Sequence, residues 1–551
     1  MTRRAERAPG ALALRPPAEV MRLARLGALH RSRLSFMPTL LRRLCTLGFR
    51  FDRPLWQVDA RGVGRALYRV RGMGRSYTLV AFSHDLDPAM RTDRVIAEAW
   101  DATFALVDGE VDAADLARLE ADVPYQEAGR VGPREIVLSR ANKSVRAFEA
   151  VADALAAGRQ PEAGLIESVG YLMRTTAVYG SGKFGAADRD AWADRPEFRG
   201  AFQPEMLAVW LIRAFTLDLV EHVARARAPD TAAPLDPALK RRLGVGNSTG
   251  LGMAPFLVNH PALLHAWIAA RETALARMRA RPAASAGEAE RLAALLETAR
   301  ADAEGWETQD ARYAERIAGL RADLAALAAR IAPAAAEPFP WDALHRDAAA
   351  LGTEAQERLV SLLIDLGGEA MDDLPEAMDA DEDAAFAIDG RMRLGALRGG
   401  AAEVFSWALA TDFDRPEARA RLWYVSADKA EPRLAEREAA RLEPWEQPLA
   451  TGRDVAAALA ALSDEPDHET VGAALMRRPE HRHSVRRVQR ALRLPYAEIR
   501  DNLIGADLVP VDLLRCKLAF FGATRFDPRS DRWLRIAMYR GAPTPERMLP
   551  A

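Results

Sequence analysis

The longest regular pattern in the chain is a helical spacing of apolar residues between Pro261 and Ile331, interrupted by one proline, Pro282. Leu292, Leu295, Leu296, Ile317, Leu320, Leu324 and Leu327 fall at seam spacing, which predicts a long helical hairpin. A second stretch, about 203–227, is apolar nearly all round (Met206, Leu207, Val209, Trp210, Leu211, Phe215, Leu219) and predicts a buried helix. Residues 20–50 alternate Leu23, Leu26, Leu29 and Leu34 with Arg22, Arg25 and Arg31, the pattern of an amphipathic helix. Further helices are expected near 92–107, 112–121, 142–157 and 163–178. Period-two runs are short. Leu67–Val70 and Tyr77–Phe82 predict a small antiparallel sheet broken by glycines, and Arg421–Val425 predicts a strand of another.

Two passages resemble each other. Tyr179-Gly180-Ser181-Gly182-Lys183-Phe184, with Trp192 beyond it, is echoed by Phe521-Gly522-Ala523-Thr524-Arg525-Phe526, with Trp533 beyond it. At nearly the same separation, Ser83 follows a strand as Ser426 does, and Asn142-Lys143-Ser144-Val145-Arg146 is echoed by Arg482-His483-Ser484-Val485-Arg486. These matches predict a diverged internal duplication. The expected fold is mostly α with small antiparallel sheets (α+β), in two diverged repeats separated by the long hairpin. The divisions are a flexible N-terminus (1–19), a first repeat (20–252), the hairpin insert and linker (253–340), a second repeat (341–541) and a tail (542–551).

Composition narrows the class. A chain of 551 residues, 49% hydrophobic and 28% charged, has room for about three to four folded domains. Net charge is −2, and the basic run Arg477 to Arg493 lacks interleaved aromatics. It is expected to be a solvated helix face, with no nucleic-acid partner. No apolar run approaches the roughly 18–20 residues that span a bilayer, so no membrane partner is expected. Cys45 and Cys516 are far apart and suit a reducing compartment, hence a cytoplasmic protein. Neither a CxxC nor an HExxH pattern is present, and no metal site is expected; the sequence names no cofactor. A homo-oligomer is compatible with it.

Lysine and asparagine are scarce. The lysines are Lys143, Lys183, Lys240, Lys429 and Lys517, and the asparagines are Asn142, Asn247, Asn259 and Asn502. Arginine otherwise serves as the cation, as in a GC-rich bacterial genome. The survivors mark places where a compact ammonium or a neutral amide is required.

Gly180-Ser181-Gly182-Lys183 departs from a phosphate loop, since Ala177 and Phe184 replace the first Gly and the Ser/Thr. It remains a candidate anion loop, and the alternative is a turn that needs glycine. Gly244–Gly252 contains Gly246-Asn247-Ser248-Thr249-Gly250, the G-x-S-x-G of a nucleophile elbow, with His345 or His468 as the histidine of a triad. It also reads as a glycine-rich substrate loop, or as a capping turn before the next helix. His84, beside Asp85 and Asp87 at a strand end, is an acid–base candidate or a turn residue.

The expectation is a bacterial enzyme of small-molecule metabolism that binds an anionic substrate, a carboxylate or phosphate. His84, Lys143 and Lys183 are the catalytic candidates, and Arg174, Ser181, Asn142, Asn247, Ser248, Thr249 and Asn259 the substrate-binding ones. The alternatives are a serine hydrolase using Ser248 and a non-catalytic, pseudo-dimeric structural or regulatory protein. The latter would carry an exposed apolar stripe on 286–331 for a partner.

Overall fold

The computed structural model describes residues 14–90, 99–125, 132–176, 185–186, 192, 194–248, 261–306, 308, 311–334, 339–378, 387–415, 423–426, 432–434, 446–449, 451–500, 510–523, 525–527 and 535–551. The chain divides into two compact units. One comprises residues 35–249, 520–529 and 533–551, and the other residues 1–34, 250–519 and 530–532.

Thirteen strands are described. They are β1 (Arg50–Val58), β2 (Gly64–Gly72), β3 (Arg75–Ser83), β4 (Ala102–Asp108), β5 (Glu135–Lys143), β6 (Tyr171–Thr175), β7 (Gly185–Ala186), β8 (Gly244–Ser248), β9 (Trp423–Ser426), β10 (Pro432–Leu434), β11 (Glu446–Leu449), β12 (Arg525–Asp527) and β13 (Arg535–Met538). The first unit is built on one ten-stranded mixed sheet ordered β1-β2-β3-β4-β5-β6-β8-β13-β12, with β7 also paired to β5. All of its pairings are antiparallel except β6 with β8.

This sheet overturns the expected duplication. The strands of the supposed second copy, β12 and β13, join the same sheet as β1–β8. The echoed segments also differ in structure, because Asn142-Lys143 ends a strand whereas Arg482-His483-Ser484 begins the helix Arg482–Arg493. The Phe521-Gly522 pair has a packing explanation. Phe521 lies 5.2 Å from Phe36 and 5.1 Å from Phe202, ring to ring. Gly522 has φ +87, and a Cβ there would meet Pro38 at 3.0 Å.

The sheet is covered on both faces. Helix Ala113–Asp122 places Leu116 and Leu119 against Leu67, Val80, Phe82, Ala105, Val107 and Leu138. Helix Gln203–Arg227, found where its all-round apolarity predicts it, lies on the opposite face, where Phe215 packs edge-on to Tyr68 and Phe104. The strands β4 and β6 fall where helices were expected. Buried on both faces, they read as continuous apolar runs whose periodicity does not distinguish strand from helix.

The other unit is mainly helical, with β9, β10 and β11 in a small separate sheet. The stretch 261–331, expected as one long hairpin, is three helices, Pro261–Arg279, Ala286–Glu304 and Ala311–Ala334, and the last two form a hairpin. Its seam residues Leu292, Leu296, Ile317, Leu320, Leu324 and Leu327 are buried inside the unit. The apolar stripe is therefore used in packing. Among the described residues, no helix is long and apolar enough to cross a membrane.

Arg15, in the stretch expected to be flexible, is buried in a charge network with helices Pro261–Arg279 and Thr353–Gly367. Its guanidinium donates to Glu272 at 2.6 and 2.8 Å and to Glu357 at 2.7 Å, and Arg271 donates to Glu357 at 2.6 Å. Burial pushes the Glu357 carboxyl up, but Arg15 and Arg271 outweigh burial and hold it well below its ordinary range. Arg15→Ala leaves buried carboxylates short of a cation and should cost about 3–5 kcal/mol, read as a lowered urea midpoint. A carboxyl depressed by folding contributes stability above the ordinary glutamate value of 4.5. That contribution should fade as the pH falls below this value, and the Arg15→Ala protein should lose less on acidification than the wild type.

Candidate functional site

Strand β5 reads Glu135-Ile136-Val137-Leu138-Ser139-Arg140-Ala141-Asn142-Lys143 and is buried at every position. After Glu135, residues 136–138 are apolar, and from Ser139 onward every residue but Ala141 is polar. Side chains alternate between faces along a strand. Leu138 belongs to the cluster under helix Ala113–Asp122, so Arg140 and Asn142 continue that same face. Thr103, two residues before Ala105, and His84, two after Phe82, continue it on the neighbouring strands. Arg174 pairs directly with Asn142 across β5 and β6. The result is a polar end to one face of the sheet, beside its apolar end.

The hydrogen bonds of this end are specific. The Asn142 side-chain oxygen accepts the Asp101 N–H at 2.9 Å, and its nitrogen donates to the Ala99 carbonyl at 3.4 Å. A neutral amide can donate and accept at once, as a charged side chain of either sign cannot. The Asp101 carboxylate accepts the Lys143 N–H at 2.9 Å, and the Asp101 carbonyl accepts the His84 N–H at 2.8 Å. His84 Nε2 lies 2.9 Å from Thr103 Oγ1. Burial lowers the His84 pKa, and Asp101 offsets part of that. Arg140 pairs with Thr103 in the ladder and stands over the Trp100 ring at 5.5 Å. Its backbone N–H donates to Thr176 Oγ1 at 3.2 Å. Arg140, Lys143 and Arg174 make further contacts within the chain.

The structure thus gathers His84, Asn142 and Arg174 on one face and separates Lys143 from them. Lys143 is an odd step along β5 and faces the other side, its ammonium 4.8 Å from the Phe148 ring. Asn142 is occupied in holding the chain at 99–101. Asn247 is fully buried, and its amide donates to the Thr175 carbonyl at 2.9 Å, tying β8 to β6. Lys183, Ser181, Thr249 and Asn259 lie outside the described residues.

Gly244–Ser248, expected as a loop, is strand β8. Its glycines answer to packing, since a Cβ at Gly246 would lie 2.7 Å from the Tyr171 ring and one at Gly244 would lie 2.2 Å from the Met538 carbonyl. Ser248 pairs with Arg535 in the ladder, where an elbow would place it at a sharp turn. The nominated histidines, His345 and His468, belong to the other unit. Among the described residues, no group of three His, Cys, Asp or Glu side chains is placed to hold a metal.

Sequence reasoning missed Arg140, Thr103, Asp101 and Trp100. Arg140 is one arginine among many. The usable signal was the abrupt change from apolar to polar residues within one run, Ile136-Val137-Leu138 to Ser139-Arg140.

Asn142→Leu should leave the buried Asp101 N–H without its acceptor and cost about 1–3 kcal/mol. Amide exchange at Asp101 and His84 should then accelerate about tenfold or more, at roughly 1.4 kcal/mol per factor of ten. Unchanged exchange at both amides would show that Asn142 does not hold the 99–101 segment.

No protein-family model, no curated protein and no solved structure matches the chain.

Proposed function

We propose that the chain is an enzyme of small-molecule metabolism that binds an anionic substrate, a carboxylate or a phosphate, over the polar end of the sheet. The observation that carries this reading is the placement of Arg140 and Arg174 on neighbouring strands, on the face that also carries His84. A guanidinium is always charged and offers a planar fork matched to carboxylate and phosphate oxygens. Setting two beside a largely buried imidazole gives a substrate-holding pair and a group able to move a proton. His84, kept neutral at pH 7 by burial, acts as the base. Asn142 and Asp101 position it by fixing the chain at 99–101, and Lys143, on the opposite face, is left out of the chemistry. The arginine-for-lysine usage and the lack of a disulfide framework favour the cytoplasm of a bacterium as its setting.

The test is a thermal-shift screen of the full chain against organic acids and phosphorylated metabolites, with Arg174→Gln in parallel. A ligand at 100 times its Kd should stabilise the wild type by about 2.7 kcal/mol. The shift should vanish in the variant, and an equal shift in both proteins would move the site elsewhere. In the free protein the His84 imidazole should titrate below its ordinary 6.5 by NMR, and a bound anion should move it upward. A free-protein midpoint at or above 6.5 would contradict the assigned role.

A further inference from the structure

A histidine away from the polar end of the sheet carries a separate function: we infer that His222 is a proton-sensitive latch, pinning the turn between β1 and β2 to helix Gln203–Arg227. Both of its ring nitrogens are engaged. Trp56 Nε1 lies 3.3 Å from His222 Nδ1, and His222 Nε2 lies 2.8 Å from the Asp59 carbonyl oxygen. An indole N–H can only donate and a carbonyl can only accept. The two partners therefore dictate one protonation state. Nδ1 accepts, Nε2 carries the ring's one proton, and the imidazole is neutral. The two rings also meet edge-on, with centroids 5.4 Å apart. A second proton, at Nδ1, would set one N–H against another and take away the acceptor of the indole.

The segment held by the latch is a tight turn. The Asp59 carbonyl also accepts the Gly62 N–H at 2.9 Å, and the Asp59 carboxylate accepts the N–H groups of Arg61 and Val63, each at 2.9 Å. Gly62 has φ +82, and a Cβ there would lie 2.9 Å from Val223, the residue after His222. The turn thus rests directly on the helix. It leads into β2 at Gly64, which pairs with Ser83, and its Arg61 donates to Asp85 at 2.7 Å. The latched segment therefore borders the strand end that carries His84, although the latch itself does not depend on anion binding.

The surrounding charges are engaged elsewhere. On the same helix, Asp218 accepts from Arg53 and from the Tyr68 hydroxyl, each at 2.6 Å, and Glu546 of helix Pro545–Met548 adds a negative charge near it. Glu221 pairs with Lys240 at 2.7 Å and accepts the Leu235 N–H at 2.8 Å, and Arg225, one turn on, is exposed. Arg53 also stands over the Trp56 ring at 5.3 Å. From the turn, the Asp59 carboxylate faces its own backbone and Arg61. Among the described residues no carboxylate is bonded to the imidazole, so no anion holds its charged form in place. Imidazoles gain their charge between about pH 8 and pH 5, and here that charge is met by opening of the latch.

The test uses the full chain with 15N-labelled tryptophan, the Trp56 indole resonance being identified by its loss in Trp56→Phe. That resonance should move as the pH is lowered from about 8 to about 5. Over the same range, hydrogen exchange of residues 57–63, corrected for its intrinsic pH dependence, should accelerate about threefold or more. His222→Gln supplies an acceptor and a donor at every pH. It should hold the Trp56 resonance fixed and remove the acceleration. His222→Phe removes both bonds and should exchange fast already at the upper pH. A Trp56 resonance that stays in place on acidification, or one that moves equally in His222→Gln, would overturn the latch. Exchange at 57–63 that does not change with pH in the wild type would overturn it without recourse to any variant.

Discussion

Strand β5 is buried over its full length, yet Ser139, Arg140, Asn142 and Lys143 occupy its second half. Polar and charged groups removed from water cost free energy unless bonded. Much of the local structure follows from meeting that demand. The Asn142 amide fixes the entry to β4, Asp101 receives the Lys143 N–H, Thr176 clamps Arg140, and Ser139 shares a hydroxyl contact with Thr175. In the first half, Glu135 is buried and accepts from Arg118 at 2.8 Å, while the apolar residues that follow need no such partners, and Leu138 is covered by helix Ala113–Asp122. One strand thereby sets both the core on that face and the polar surface at its end.

The helical unit meets a similar demand with full charges. Arg15, Arg271, Glu272 and Glu357 are all buried, and their bonds join the N-terminal segment to two long helices. Such a network is weakly stabilising when complete and costly when broken. It constrains which chain segment can occupy the site, because an uncharged residue at position 15 would leave both glutamates short of a cation. Tyr496 adds a hydroxyl bond to the Arg15 carbonyl at 2.7 Å, fixing the backbone as well as the side chain.

Two helical stretches with a sustained period were legible in the sequence, but residues 20–50, expected as an amphipathic helix, form a helix only over Phe36–Thr46, and Leu23, Leu26, Leu29 and Leu34 lie outside any helix. The hairpin 286–334 and helix 203–227 lie where their apolar spacing places them. The central strands were not, because residues 102–108 and 171–175 show no alternation once both faces are buried. Local likeness also misled: Asn142-Lys143-Ser144 and Arg482-His483-Ser484 share residues but not backbone, since the first closes a central strand and the second opens a helix. Of the candidate site, scarcity pointed to Asn142, and a strand end pointed to His84. It could not separate the roles: Asn142 and Asn247 bond to backbone, and Lys143 turns to the opposite face by a single step of the strand period. Arg140 carried no mark in a chain whose 76 basic residues are nearly all arginine.

The central claim is that the polar half of β5 and its neighbours form an anion site. The most direct measurement is an anomalous difference map from crystals of the full chain grown with selenate. The account predicts a selenium peak within hydrogen-bond reach of both the Arg140 and Arg174 guanidiniums, on the face that carries His84. Selenate bound only at other arginines, with that face occupied by protein side chains alone, would contradict it.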